Sequence, residues 1–253
     1  MMLGPAGSTV SEPNRSEALM ELQGKRVVVI GGTSGIGRAV AHQAEALGAT
    51  VVVASSSTEK VEKARASGAD AYVVDVKEEA QIAAFFTAIG SFDHLVYTAG
   101  DWGGMGGAPL GQMDLAAAAS VFDVRFWGAL AAAKHGHGHM PPGGSITFTD
   151  GMVAHRPRKS AAVNTAMAGA VEHLVRSLAV ELAPIRVNGV CPGYIETEVW
   201  APAPPERLVE MTKRFPLSRA GQPDEAAAAY VYLMCAGYTT GQVLQVDGGM
   251  GLV

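Results

Sequence analysis

Residues 31–37 read GGTSGIG. Glycines at Gly31, Gly35 and Gly37 make a tight turn, let backbone approach a pyrophosphate, and open a helix whose N-terminal amides favour an anion. Thr33, Ser34 and Ile36 lie within the same turn. The plain alternative is a turn with no ligand, so the reading depends on a strand before it and a helix after it. A second cluster, HGHGHM at 135–140, puts His135 and His139 on one helical face, a spacing that a metal can use. Two intervening glycines, the Pro141-Pro142 pair and the lack of a neighbouring Asp, Glu or Cys in sequence argue instead for surface histidines at a fraying helix end. No metal site is expected.

The elements that must position the turn are legible. From Lys25 onward, short Val/Ile-rich runs alternate with longer Ala-rich stretches, the pattern of repeated βαβ units and a parallel sheet. Strands are expected near 26–31, 49–54, 71–74, 93–98, 144–149, 185–190 and 243–246. RVVVIG, TVVVAS and HLVYTA are apolar almost throughout, as befits strands covered on both faces. Helices are expected near 36–47, 58–67, 78–88, 112–134, 160–183 and 223–236, with a shorter one near 205–214. With right-handed crossovers, these make a single-domain, Rossmann-type, doubly wound α/β fold over 23–253. The Pro-interrupted stretch near 196–220 lies where such folds receive ligands, and is the expected substrate lid.

Composition bounds the function. The 253 residues are 48% hydrophobic, enough for one sizeable core. A formal net charge of −5 offers no basic stripe for nucleic acid and no Lys/Arg run for a membrane surface. Cys191 and Cys235 stand alone, without CxxC spacing, which fits a reducing cytoplasm. Residues 1–22, rich in Gly, Ser and Pro, read as a flexible extension and not a secretory signal. No apolar run approaches the roughly 20 residues needed to span a bilayer.

Further motifs follow the glycine turn in order: VVDV with Asp75 and Val76, TAG with Ala99 and Gly100, RVNGVCPGYIETE, and TGQVLQVDGG. Over nearly all of 24–250 the chain resembles the short-chain dehydrogenase/reductase family. Its glycine turn resembles TGxxxGxG, with Ile30 in place of the threonine. The resemblance implies that Asp75 contacts an adenine, and that the loop bearing Pro192, Gly193, Ile195 and Thr197 closes over a nicotinamide. At the end of the second strand stand Ala54, Ser55, Ser56 and Ser57, with no carboxylate before Glu59. A carboxylate there would bind a free ribose hydroxyl and repel a 2′-phosphate, whereas three hydroxyls can donate to one. NADP(H) is therefore expected over NAD(H), although the arginine that NADP-preferring relatives often carry here is absent. The Ala-rich helices at 112–134 and 160–183 resemble the family's interface pair, implying a homotetramer or homodimer.

The same resemblance exposes a departure. The family's tyrosine passes a proton, a lysine four residues later lowers its pKa, a serine polarises the carbonyl and an asparagine supports a water relay. Here Asp150 stands at the serine position, Val163 at the tyrosine, Met167 at the lysine and Arg125 at the asparagine, and no YxxxK occurs between 150 and 185. Valine carries no proton and methionine no cation. Candidate substitutes are Asp150, whose burial at a strand end would raise its pKa, His155 nearby, and Arg125 as an oxyanion stabiliser. The bland alternative is an Asp150–Arg125 ion pair in a disused site, with His155 a loop residue and Arg156, Arg158 and Lys159 a solvated loop. Trp102, Met105, Trp127, Tyr194 and Trp200 are expected around a pocket for an apolar or aromatic substrate, Trp127 equally in the core. Three functions remain open: an oxidoreductase acting on a small or aromatic carbonyl or alcohol, an inactive cofactor-binding protein, or a non-redox dehydratase, isomerase or cyclase.

Overall fold

The structure is a computed structural model and describes residues 21–100 and 107–253. The expected residues Trp102 and Met105 and most of the N-terminal extension lie outside the described residues. Leu22, assigned by the sequence to that extension, is 1% exposed and packs among the core residues.

Seven strands form one sheet: β1 (Arg26–Ile30), β2 (Thr50–Ser55), β3 (Asp70–Val73), β4 (His94–Tyr97), β5 (Ser145–Thr149), β6 (Arg186–Pro192) and β7 (Val243–Val246). Their order is β3-β2-β1-β4-β5-β6-β7, and every pairing is parallel. Between them run α1 (Gly35–Ala46), α2 (Thr58–Ala66), α3 (Glu79–Ile89), α4 (Leu115–Ala119), α5 (Ala129–Gly136), α6 (Ala162–Glu181), α7 (Pro205–Thr212) and α8 (Pro223–Cys235). The strand order reverses direction between β1 and β4, the position where open α/β sheets take ligands.

The unbroken apolar strands serve two cores. In β1, Val28 and Ile30 face the core that includes Phe86, Phe148 and Val171, while Val27 and Val29 face the other, which includes Val40 and Tyr230. Period-two alternation thus supplies both faces from one strand. Local chemistry fixes helix starts. Gln222 and Glu225 form a reciprocal capping box at α8 with Pro223 in the first turn, and Ser57 accepts the Lys60 amide at 3.3 Å at the start of α2.

One expected helix is interrupted. Instead of a continuous helix over 112–134, α4 is followed by a π-helical turn over Asp123–Gly128 that carries Arg125, and then by α5. Widened turns of this kind concentrate where a side chain is re-aimed. The run Leu115–His139 is also apolar and long enough to cross a bilayer by composition, contrary to the expectation from the sequence. Ala129, Ala132 and Ala133 are nonetheless buried in the first core, so α5 is a core helix of this fold.

Candidate functional site

A cavity of about 680 Å³ opens at the C-terminal ends of the strands. Its first wall is the turn between β1 and α1: Gly31, Thr33, Ser34, Gly35, Ile36 and Gly37. Gly31 has φ +93°, and a Cβ there would lie 2.6 Å from the Ala99 nitrogen; one on Gly37 would run into the Gly31 carbonyl. These two positions leave room only for backbone, which makes the turn a cradle a ligand can approach closely. Ser55, Ser56 and Ser57 after β2, Asp75 and Val76 after β3, and Ala99 and Gly100 after β4 continue the lining. Pro192, Gly193, Ile195 and Thr197 after β6 close the opposite side. All the cofactor-type residues singled out in the sequence therefore meet in one space, which is long enough in chain terms to run from the glycine turn to β5. Asp75 also accepts the Lys77 amide at 3.0 Å, so it caps its own strand end while facing the cavity.

The sequence reading missed two charged groups in this half. Lys60 lines the cavity beside the three serines, its Nζ 3.4 Å from Ser34 Oγ. It supplies the cation whose absence from the strand end was noted. The clue was its spacing: a residue three after the Ser57 cap lies in the first turn of α2 and points back at the loop. The second group is Glu198. Its Oε2 accepts the Gly35 amide at 3.0 Å and its Oε1 the Arg38 guanidinium at 2.8 Å, so a carboxylate occupies the helix terminus that suits a phosphate.

The other end of the cavity holds Asp150 and Arg125. Asp150 follows β5, its amide donating to the Val190 carbonyl at 2.8 Å, and it is 3% exposed. Neither of its oxygens has a conventional hydrogen-bond donor, which excludes the expected Asp150–Arg125 ion pair. Arg125 instead lies against Gly100, where an added Cβ would sit 2.5 Å from its Nη2. What faces Asp150 is Glu172 of α6, buried at 8% exposure, and the thiol of Cys191 of β6. Burial, and then the neighbouring Glu172 carboxyl, push the Asp150 pKa up to about 8. Burial also raises the Cys191 thiol far above its usual range, with Asp150 and Glu172 adding to the effect, so it stays protonated.

His155 does not reach the cavity. Its Nε2 lies 2.5 Å from Glu172 Oε1, and Arg176 Nη2 stands 3.6 Å from the other oxygen. Glu172 was legible as a charge within the apolar stripe Ala168, Val171, Val175 and Leu178 of α6, but its link to Asp150 is tertiary. Val163 and Met167 do not face the cavity either; they pack in the first core, where apolar side chains on that face of α6 meet the sheet. A shift of one residue reaches Asn164 and Ala168, still without a phenol or an ammonium. Ala168 packs against Val153, beside the turn that does line the cavity.

The surroundings correct other expectations. Arg156 and Arg158, expected as a solvated loop, are exposed and line the cavity mouth, whereas Lys159 does not. Trp127 is 57% exposed and is neither cavity wall nor core. Tyr194 and Trp200 do line the cavity, packed edge to face at 5.5 Å, and make an aromatic wall. Tyr230 is fully buried, its hydroxyl 2.7 Å from Thr149 Oγ1, behind the cavity. Near HGHGHM the fold supplies the acid the sequence lacked: Glu79 bonds His135 at 2.8 Å and Lys134 at 2.6 Å, while His139 stacks on Phe86. The histidines thus part company.

Among the described residues one group has ligating atoms within 4.8 Å of one another: Asp150, His155, Glu172 and Cys191. Two ligands bonded to a tetrahedral zinc at about 2.0–2.1 Å lie roughly 3.3 Å apart. The 2.5 Å approach of His155 to Glu172 is shorter than this, so these two atoms contact each other and leave no ion's space between them.

Known proteins share the architecture. The family model described as enoyl-(acyl carrier protein) reductase matches residues 31–251. A short-chain dehydrogenase/reductase of Stachybotrys chlorohalonatus is 36% identical, the match covering 90% of this chain and 97% of that protein. A small-chain dehydrogenase solved in complex with NADPH is 36% identical with a TM-score of 0.78, covering 90% of this chain and 99% of the other. The MalC reductase/Diels-Alderase of Malbranchea aurantiaca is 31% identical with a TM-score of 0.86, over 95% and 100% of the two chains. With the parallel seven-stranded sheet and the glycine turn at its switch point, these likenesses place the chain in the short-chain dehydrogenase/reductase family of oxidoreductases.

Proposed function

We propose that the protein is an NADP(H)-dependent oxidoreductase that interconverts a small or aromatic carbonyl and its alcohol, with Asp150 as proton donor in place of the family's tyrosine. One observation carries this reading: a single cavity joins the glycine turn and Lys60 at one end to Asp150 at the other. Lys60 with Ser55, Ser56 and Ser57 suits a 2′-phosphate, and no carboxylate there repels it. The likeness to an NADPH complex supports the same choice.

The bound nicotinamide would supply a hydride. The protein's own task is then the proton and the charge. A carbonyl that gains hydride leaves an alkoxide, and Asp150, protonated at neutral pH by its burial, lines the cavity end where that charge would be neutralised. Arg125 supplies positive charge at the same end, suited to a developing oxyanion. Tyr194 and Trp200 offer an aromatic wall that favours apolar or aromatic substrates.

The test is turnover of NADPH by the full chain against a panel of aromatic and aliphatic aldehydes and ketones, run beside Asp150→Asn and Tyr194→Phe. Asp150→Asn is expected to lower kcat by about 10²–10⁴-fold with NADPH affinity unchanged. Retention of the rate in Asp150→Asn with loss in Tyr194→Phe would move the donor to the phenol. A second reading, a non-redox cyclisation in the same cavity, is favoured by the likeness to a reductase/Diels-Alderase. Product formation without nicotinamide would select it.

A further inference from the structure

Asp150 can give its proton once; a catalyst must get it back. At 3% exposure, and with no conventional donor on either oxygen, an ionised Asp150 beside the buried Glu172 is a costly state. The surroundings offer a way out of it. Glu172 lies within 4.8 Å of Asp150, His155 Nε2 lies 2.5 Å from its Oε1, and the His155 side chain is 34% exposed. The three groups come from the end of β5, the inward face of α6 and the turn after β5, and their polar atoms lie within 4.8 Å of one another.

We propose that Glu172 and His155 form a proton relay that refills Asp150 from bulk water, an inference that rests on Asp150 as the donor named above. Per carbonyl reduced, the substrate oxygen takes the proton of Asp150 as that O–H bond breaks. A proton then passes from His155 to the Glu172 carboxylate and from Glu172 to the Asp150 carboxylate, and His155 takes one from water. One proton enters from solvent for each hydride consumed, and the chain returns to its starting state. Neither Glu172 nor His155 touches the substrate. Alcohol oxidation runs the same steps in reverse.

The other groups around Asp150 and Glu172 do not supply a proton from solvent. Cys191, facing from β6, keeps its proton and contacts Met152 Sδ at 3.6 Å. Tyr230 of α8 is fully buried and bonded to Thr149. Arg176 of α6 and Arg125 of the π-helical turn carry guanidinium groups, which do not shuttle protons in proteins, and Asp247 after β7 bears on Cys191 by its charge. An imidazole, able to donate and accept at two nitrogens, is the one group of the three open to water.

The experiment uses the full chain and a readout separate from turnover. Infrared spectroscopy after a pH jump follows the protonated buried carboxyl, assigned by its loss in Asp150→Asn. In His155→Ala the band is expected to remain, but its response to the jump slows by about tenfold or more, and added imidazole restores the wild-type rate. Glu172→Gln is expected to slow the response equally and to resist imidazole rescue, because its break lies deeper than the added base can reach. A response in His155→Ala as fast as wild type, slowing without rescue, or rescue of Glu172→Gln would each overturn the relay. Stoichiometric metal retained after dialysis would overturn it too. His155→Gln serves where the alanine variant folds poorly. Failure of the donor reading is seen separately, as undiminished carbonyl turnover in Asp150→Asn.

Discussion

The two ends of the cavity are built on opposite plans. At the glycine turn, contacts are made by backbone atoms and exposed polar side chains that are already hydrogen-bonded or open to water. At the β5 end, Asp150 is a buried carboxyl without a conventional donor, and the buried Glu172 beside it is in contact with His155. The first end depends above all on the course of its backbone, with no room for a side chain at Gly31 or Gly37. The second depends on one or two side chains. Ligand recognition and chemistry are thus separable by mutation.

The largest effect expected at the first end comes from adding a side chain. In Gly37→Val the new Cβ meets the Gly31 carbonyl and the Thr98 hydroxyl. Dinucleotide binding should vanish in a tryptophan-to-nicotinamide energy-transfer titration, and overpacking should cost about 1–3 kcal/mol in thermal or urea melting. Normal binding by Gly37→Val would break the claim that backbone approach governs this end.

At the other end, Asp150→Asn should stabilise the fold in a pH-dependent way. The folded state keeps the Asp150 proton up to about pH 8, whereas the unfolded chain releases it in the ordinary carboxylate range. Between those limits the folded state holds the extra proton, so rising pH favours unfolding of the wild type. The Tm advantage of Asp150→Asn should therefore be small below pH 4, grow as pH rises to about 8, and level off above it. A constant difference would show that Asp150 is not held protonated.

Smaller effects sharpen the first end. Lys60→Ala should weaken NADPH by about tenfold, the loss of one charge-assisted bond, and leave NADH nearly unchanged in the same titration. Equal weakening of both would remove Lys60 from the phosphate. Glu198→Gln should tighten either nucleotide about two- to fivefold, since a carboxylate at a helix start is worth roughly 0.3–1 kcal/mol.

Legibility in the sequence follows the same divide. Gly31 to Gly37 are contiguous, and a turn that must avoid a Cβ writes itself into consecutive residues. Strands β1 and β2 were equally clear, because strands buried on both faces are apolar throughout. Asp150 could be found only through the resemblance, and its true neighbours not at all: Glu172 and Cys191 arrive from α6 and β6, and nothing local links them to residue 150. His155 was noticed for its nearness in sequence but faces Glu172, not the cavity. Val163 and Met167 sit on the core face of α6, which a motif count does not register. The break in the 112–134 helix left no proline or glycine pair at Arg125 to announce it.

Glu198 has one further consequence. Its bond to the Gly35 amide joins residues 163 positions apart, and Val199 and Trp200, next to it in one short helical turn, line the cavity near Tyr194. An anion that takes the Gly35 amide must release Glu198, and with it the anchor of the aromatic wall. Occupancy of the two ends is then thermodynamically linked. Whatever factor the nucleotide imposes on the affinity for substrate, substrate imposes on the affinity for nucleotide.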